Sequence, residues 1–404
     1  MTNLLTLPQD APDGCIATQF AGKRWRLFTL AFVTGLYTVL TLGLYRFWQK
    51  TRLRRWYWSA IRPGGQPLEY VGDPFEKLLG FLIAVVILAF YIGVVNLLLM
   101  FASFSLFHGN FAAYLLSFVG VVPVWFYARY RARRYVLART RWLGLRFGLA
   151  PGAWGYAFRA LLYWVLTLLT LGLLWPLMTF RLEKYRTDRT FYGDIRMQQE
   201  GRWTMLLGAL KWIGWSLVVG LVTLGFALNG LVPLVVLGCV VGPVMFLYGL
   251  AYYRVETLKR LTAHKRAGPL RLTLEARPWR VLWITGSGYL FAGLASAVPS
   301  LVLLGLFLHL QSLGEQVTVG HVTEALAQAD RWLVVALSVM TYFGIFLVWT
   351  ATTHVLVTMP LWRHYATGLT VYGTEHLPQI RQRPRDEHTE AEGFAEALDV
   401  GASL

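Results

Sequence analysis

The side chains with most chemical potential in this sequence are three polar ones set inside long apolar runs: Asn96, Lys211 and His354. Lys211 follows Trp203 by eight residues, about 12 Å along a helix at 1.5 Å per residue. At that depth in hydrocarbon an ammonium group is costly unless its stem reaches the interface or a partner neutralises it. An amide, an amine and an imidazole lining one intramembrane site would suit passage of a polar solute or a proton. The same groups bonded between helices would serve packing alone. No enzymatic signature accompanies them: there is no H-E-x-x-H, no phosphate-cradling glycine loop and no G-x-S-x-G elbow. Gly286-Ser287-Gly288 lies in an apolar run and reads as a packing device. The eight histidines lack metal-ligand spacing, and Cys15 and Cys239 cannot build a disulfide framework or a zinc cluster. Catalytic, cofactor and metal sites are therefore not expected, and the chain does not read as an enzyme.

A second chemistry is electrostatic. Trp48, Arg52, Arg54, Arg55 and Trp56 follow the first apolar segment; Trp125, Arg131, Arg133, Arg134 and Tyr135 follow the third; Arg181, Lys184 and Tyr185 follow the fourth. Indole and phenol rings favour the headgroup level of a bilayer, and arginine buries its stem while its charge stays in water. These residues read as a membrane-interface collar, with a phospholipid bilayer and its anionic headgroups as the partner. The net charge of +17 raises nucleic acid as another partner. Basic groups split among five short connectors make a poor groove, so that reading is set aside.

The elements that would position these groups are apolar. In 404 residues the chain is 56% hydrophobic and 15% charged, with mean hydropathy +0.48, outside the range of ordinary soluble enzymes. Crossing a hydrocarbon core of about 30 Å takes roughly 20 helical residues. Eight segments qualify as candidates: 27–48, 78–107, 111–127, 157–180, 203–228, 230–253, 281–308 and 332–359. Lipid offers the backbone no hydrogen bonds, and the alternation of a barrel is missing, so the expected fold is an all-α polytopic transmembrane bundle. Residues 1–26 form a polar leader without the apolar core of a signal peptide, 27–373 a repeated membrane domain, and 374–404 a polar tail expected to be disordered.

Charge placement conflicts with simple alternation of eight spans. Lys and Arg number six in 49–77, eight in 128–159, six in 181–202 and eight in 254–280, and Arg363, Arg381, Arg383 and Arg385 follow the last segment. The positive-inside bias wants all five regions cytoplasmic, yet only 157–180 separates the second from the third. Either that segment enters and returns on one face, turning at Gly172 and Pro176, with the first segment doing likewise near Gly35 or Gly43, or it spans and the third region lies outside.

The segments also recur. TLGLYRFWQKTRLRRWYW from Thr41 and TLGLLWPLMTFRLEKYRT from Thr170 share their opening and place Trp56 opposite Tyr185. Offsets of four, five and eight or nine residues from Trp56, Tyr135, Tyr185 and Tyr365 meet similar residues and end on Gly65, Gly144, Gly193 and Gly373, with a weaker echo after Tyr253. This reads as an internal repeat of membrane segment, basic amphipathic stretch and glycine turn. TLGLYRFW, RLRRWYW, LEYVGDPFEKLLG, RRYVLARTRWLGLRF and EKYRTDRTFYG, in that order, resemble the YjgN-type family of bacterial inner-membrane proteins, whose activity is unassigned. The resemblance covers most of 20–373. It implies a multi-pass location in the inner (cytoplasmic) membrane and supplies no catalytic residues. Two functions remain: a transporter or channel-like protein using Asn96, Lys211 and His354, or a structural, envelope-associated protein that binds anionic lipid or a partner without a transport pathway.

Overall fold

Short basic connectors, not only apolar helices, carry regular structure in this protein. The computed structural model describes residues 14–90, 93–94, 97–98, 100–102, 110–311 and 331–384. The chain divides into two units: Met1–Ala21, Tyr57–Val281 and His364–Leu404 form the first, and Gly22–Trp56 with Leu282–Arg363 the second. In chain order the elements are β1 (Cys15–Phe20), α1 (Arg24–Leu40), α2 (Arg46–Ala60), β2 (Ile61–Pro63), β3 (Glu69–Tyr70), α3 (Pro74–Phe90) and α4 (Asn110–Ala138). Then come β4 (Thr140–Trp142), β5 (Leu145–Leu149), α5 (Ala153–Leu169), α6 (Trp175–Thr187), β6 (Thr190–Tyr192) and β7 (Ile195–Gln199). A 3-10 helix, Trp203–Leu210, leads into α7 (Lys211–Leu228) and α8 (Val232–Ala263), followed by β8 (Lys265–Ala267), β9 (Leu270–Leu274), α9 (Pro278–Gln311) and α10 (Arg331–Thr353). A π-helical turn, His354–Thr358, joins α11 (Met359–Thr367), β10 (Leu369–Tyr372) and a last 3-10 helix, Thr374–Gln379.

The expected all-α bundle is thus corrected: the first unit contains a ten-stranded antiparallel sheet in the order β2-β1-β10-β9-β8-β7-β6-β5-β4-β3. The sheet is curled, and its two edge strands are consecutive in the chain, tied by one backbone bond from Leu68 N to Ile61 O of 3.1 Å. Sequence reasoning missed it because the strands are two to six residues long and mix arginine with apolar residues. Such runs have no separable period when read beside helices of 9 to 34 residues.

Antiparallel pairing gives the connections one plan. Every helical excursion leaves one strand and returns on its ladder partner: β1 to β2, β3 to β4, β5 to β6, β7 to β8 and β9 to β10. All five excursions therefore start and end on one rim of the sheet, and the glycine turns at Gly65, Gly144, Gly193 and Gly268 lie on the opposite rim. Gly14, before β1, and Gly373, after β10, occupy the fifth place on that rim, where β1 and β10 pair. The repeat offsets in the sequence locate these turns, and after Tyr253 the offset fails because α8 continues to Ala263 before its hairpin begins.

One face of the sheet packs into a core of Ile16, Trp142, Tyr192, Ala267, Leu270 and Val371, and the last 3-10 helix adds Leu377 and Ile380. Alternation sets this face. In the β4–β5 hairpin Trp142 pairs with Leu145 inward, so Arg141 and Arg146 pair outward. Full burial of each large apolar side chain stabilises by about 1.5–3 kcal/mol. Residues 374–384, the start of the polar tail, belong to this packing through Leu377 and Ile380.

Two apolar segments are broken. The first bends after α1, where Leu42 has φ +52° and Gly43 φ +94°; the fourth bends after α5, where Leu171 has φ +49° and Gly172 φ +90°. In both, the glycine N–H donates 2.7 Å to a carbonyl five residues back, Thr38 O and Thr167 O. The same partners then meet across each hairpin: the Thr38 hydroxyl donates to Gln49 Oε1 at 3.0 Å, and the Thr167 hydroxyl contacts Met178 Sδ at 3.8 Å. Among the described residues four helices are long and apolar enough to cross a membrane: Trp203–Leu228, Val232–Ala263, Pro278–Leu301 and Val335–Thr367. These replace segments five to eight of the sequence reading. The second segment falls partly outside the described residues, and the third lies within α4.

Candidate anion site beside the β4–β5 hairpin

The end of α4 carries Arg129, Arg131, Arg133 and Arg134, with Arg139 just after it, more cations than one helix face can hold. Successive residues on a helix point about 100° apart, so Arg133 and Arg134 enter different surroundings.

Arg133 points towards Glu183 of α6, which is buried. Glu183 Oε1 accepts from Lys265 Nζ of β8 at 2.7 Å and from the Thr187 hydroxyl at 3.4 Å; Oε2 accepts from Arg186 Nη2 at 2.5 Å. Arg133 Nη2 stands 4.0 Å away. Burial alone would raise the Glu183 pKa, but Lys265, Arg186 and Arg133 outweigh it and hold the carboxyl well below its usual range. Burial likewise pulls Arg186 down, and Glu183 more than restores it. Three elements are thereby clamped to one carboxylate.

Arg134 lines a cavity of about 240 Å³ together with Arg139, Arg141 of β4, Arg146 of β5 and Arg383. Glu76, in the first turn of α3, is the one carboxylate among the described residues that line it. Its charge is matched: Glu76 Oε2 accepts from Arg139 Nη2 at 2.5 Å and Nε at 3.1 Å, and from the Tyr135 hydroxyl at 3.2 Å. The Arg139 guanidinium also sits 3.8 Å over the Tyr135 ring. Tyr185 and Arg189 repeat that stack at 3.7 Å, which is the Tyr-to-Arg offset seen in the sequence.

The hairpin register puts Arg141 directly opposite Arg146. Like charges in that position destabilise a ladder by about 0.2–1 kcal/mol. The β8–β9 hairpin has the same pair, Arg266 opposite Arg271, but there Glu200 Oε2 lies 3.0 Å from Arg266 Nε. In β6–β7 the pair becomes Phe191 opposite Arg196, and Arg196 Nε donates to the Asp188 carbonyl. Only the β4–β5 copy of the three opens on the cavity with both arginines. A further wall is the segment after the last 3-10 helix. Gln382 Oε1 accepts from Arg146 N at 2.8 Å, Asp194 and Arg381 exchange bonds of 2.9 and 3.1 Å, and Arg383 lies 4.6 Å over Phe191. Gly193 is required here, because a Cβ would come within 2.5 Å of Arg381 O.

The collar assigned from sequence divides accordingly. Arg52, Arg55, Trp125 and Arg181 are exposed; Trp48, Trp56, Arg131, Arg133, Arg134 and Lys184 are half-buried. Tyr135 and Tyr185 are core residues, their hydroxyls donating to Glu76 and to Gly152 O, and Arg54 is buried at 1% exposure. Of the polar trio, Asn96 lies outside the described residues. Lys211 opens α7, exposed, its ammonium 5.0 Å over Tyr252 and 5.9 Å over Trp212. His354 is in the other unit, in the π-helical turn. Gly288 meets the Leu356 carbonyl at close range and the Ser287 hydroxyl donates to Trp283 O at 2.7 Å, as the packing reading of that run requires.

Glu76, Arg141, Arg146, Lys265 and Glu183 were not singled out by sequence. One signal for the arginines was present: RWLGLR and RAGPLR each place two arginines five apart around a glycine, which antiparallel pairing brings face to face.

Four long apolar helices attached to a basic sheet define a membrane protein. Residues 16–397 match the model of a family described as "Bacterial protein of unknown function (DUF898)", and the chain belongs to that family, of which the YjgN-type proteins are part. No curated protein and no solved structure matches the chain.

Proposed function

We propose that the chain is a multi-pass inner-membrane protein whose helical excursions each return to the side they left, so that the sheet and its basic rim sit at the cytoplasmic phospholipid surface. The observation that carries this is the pair of leucines at the broken segments. A leucine in the left-handed conformation costs about 1–2 kcal/mol. Leu143, at φ +51° in the β4–β5 turn, packs against the core. Leu42 and Leu171 are 92% and 98% exposed, so protein packing does not offset their strain. Hydrocarbon supplies the missing contact. Leu40, Leu44, Leu169 and Leu173 are exposed around them, and the six residues Trp175–Phe180 between the turn and Arg181 span only about 9 Å. These hairpins dip into one leaflet, in the manner of interfacial helices. If 157–180 returns, all five basic regions share one side, which removes the conflict in the charge pattern.

Within that setting the structural, lipid-organising role is the better supported of the two functions. Lys211 stands eight residues into the span Trp203–Leu228. The 18 residues of α7 alone measure about 27 Å, close to the roughly 30 Å of a hydrocarbon core, so the Lys211 ammonium falls near one boundary beside Trp212 and Tyr252. That is an anchoring position, not a midplane one. The repeated alternation of helical excursion and β-hairpin supports an internal repeat, with each copy adding one lipid-facing element to the rim.

The test uses single cysteines in a Cys15→Ser, Cys239→Ser background and an impermeant thiol reagent in intact cells. Gln198→Cys is exposed on the sheet and Leu171→Cys is at a hairpin tip. Both should stay unlabelled from outside, and Gln198→Cys should label after lysis. Labelling of either from outside overturns the reading.

A further inference from the structure

Three hairpins of the sheet share one register. The pairs nearest their glycine turns, Trp142 with Leu145, Tyr192 with Ile195 and Ala267 with Leu270, point into the core. The pairs one step further from each turn therefore point outward: Arg141 with Arg146, Phe191 with Arg196, and Arg266 with Arg271. The sheet order β9-β8-β7-β6-β5-β4 sets these six residues in one row across the outer face. That row lies beside the turns, on the rim opposite to the one from which the helices leave, so headgroup contact at the helical rim does not account for it. Within it Arg266 pairs with Glu200 at 3.0 Å. Arg196 and Arg271 are exposed, and among the described residues neither forms an ion pair; Arg196 Nε donates to the Asp188 carbonyl.

The C-terminal segment arrives on the same row. Arg381 O accepts from Asp194 N at 2.9 Å, Gln382 Oε1 accepts from Arg146 N at 2.8 Å, and the Arg383 guanidinium lies 4.6 Å over the Phe191 ring. Beyond Pro384 the sequence turns acidic: Asp386, Glu387, Glu390, Glu392, Glu396 and Asp399 follow, with Arg385 the one arginine among them. Neighbouring strands stand about 4.8 Å apart, which puts β9 about 14 Å from β6. An extended chain covers about 3.3 Å per residue, so Glu390, six residues past Pro384, reaches about 20 Å. The acidic stretch is long enough to run from Phe191 to Arg271.

We propose that the acidic stretch Asp386–Glu392 docks along this row, with its carboxylates set against Arg196 and Arg271. Exposed ion pairs between separate molecules are weak. Here the tether holds the carboxylates at an effective concentration on the order of mM, so weak pairs suffice. A docked tail occupies the outer face and competes there with any external polyanion. The proposal concerns the sheet and the tail alone, and it holds whichever side of the membrane the sheet faces.

The test uses the full chain in a nonionic detergent, in a Cys15→Ser, Cys239→Ser background with a nitroxide on Ala391→Cys. The mobility of the label is read by electron paramagnetic resonance in about 0.01 M and about 1 M salt, where charges are screened beyond about 30 Å and about 3 Å. An immobilised component should be present at low salt and lost at high salt. Arg196→Glu with Arg271→Glu should reduce the immobilised fraction about threefold or more, the loss of two exposed pairs. Adding Glu387→Arg and Glu390→Arg to that variant should restore it, which a misfolded sheet could not do. Arg202→Glu, exposed on the helical rim, should leave it unchanged. A label that is mobile at low salt would leave the row to an external polyanion and overturn the proposal. An equal loss in Arg202→Glu, or no restoration by the reversed tail, would overturn it as well.

Discussion

Two groups of arginines start from adjacent residues of α4 and end in opposite electrostatic conditions. Around Glu183 three cations converge on one buried carboxylate, with bonds of 2.7 Å from Lys265 and 2.5 Å from Arg186. Around the cavity stand five arginines, of which Arg139 bonds Glu76 and two others oppose each other across a ladder. The first group is complete within the chain and holds α4, α6 and β8 together. The second lines an open volume of about 240 Å³, with Glu76 bonded to Arg139 and Tyr135.

The largest effect should come from removing the shared carboxylate. Glu183→Gln leaves Lys265, Arg186 and Arg133 without their counter-charge, and breaking such a buried pair costs about 3–5 kcal/mol. Unfolding of the purified protein in detergent measures it, and a loss under about 1 kcal/mol would mean that the cluster is no clamp. Acid should expose the same group. Because the folded pKa of Glu183 is depressed, its contribution is present above the unfolded carboxylate range, about 4.3, and is lost as pH falls through the lower folded value. Tm should therefore hold between about pH 5 and 7 on this account and drop below about pH 4, a drop that Glu183→Gln should lack.

A smaller effect separates the two kinds of left-handed leucine. Leu171→Gly relieves backbone strain at a residue with no protein packing, so stability in detergent should rise by up to about 1 kcal/mol after the entropy of the added glycine is set against it. Leu143→Gly relieves the same strain but removes a side chain from the core, so stability should fall. A fall in both would mean that Leu171 is held by the protein and not by lipid.

Much of the helical content was legible because apolar runs of 18 or more residues announce themselves. The breaks at Gly43 and Gly172 were among the turning points that the sequence offered, since TLGL recurs at both and a return was one of two ways to reconcile the charge pattern. The sheet was not. Thr140–Trp142 and Ile61–Pro63 are three-residue strands, and their partners, Tyr70 for Thr140 and Phe20 for Ile61, are 70 and 41 residues away in the chain, so nothing local encodes that register. The same distance hides the sites. Glu183 and Lys265 look like members of basic connectors until the ladder from β7 to β8 sets them together. Tyr135 and Tyr185 were read as headgroup anchors from their neighbours in sequence, whereas their ring faces are taken by Arg139 and Arg189.

The contrast between the two arginine groups predicts opposite signs in one measurement. In phosphate-free detergent, the unfolding free energy of Glu183→Gln and Arg141→Gln is compared side by side with the parent protein. Losing the carboxylate should lower it by about 3–5 kcal/mol, and losing one of the opposed arginines should raise it by about 0.2–1 kcal/mol. A fall for Arg141→Gln matching that of Glu183→Gln would show that the Arg141–Arg146 pair is not repulsive, and the division drawn between the two groups would be wrong.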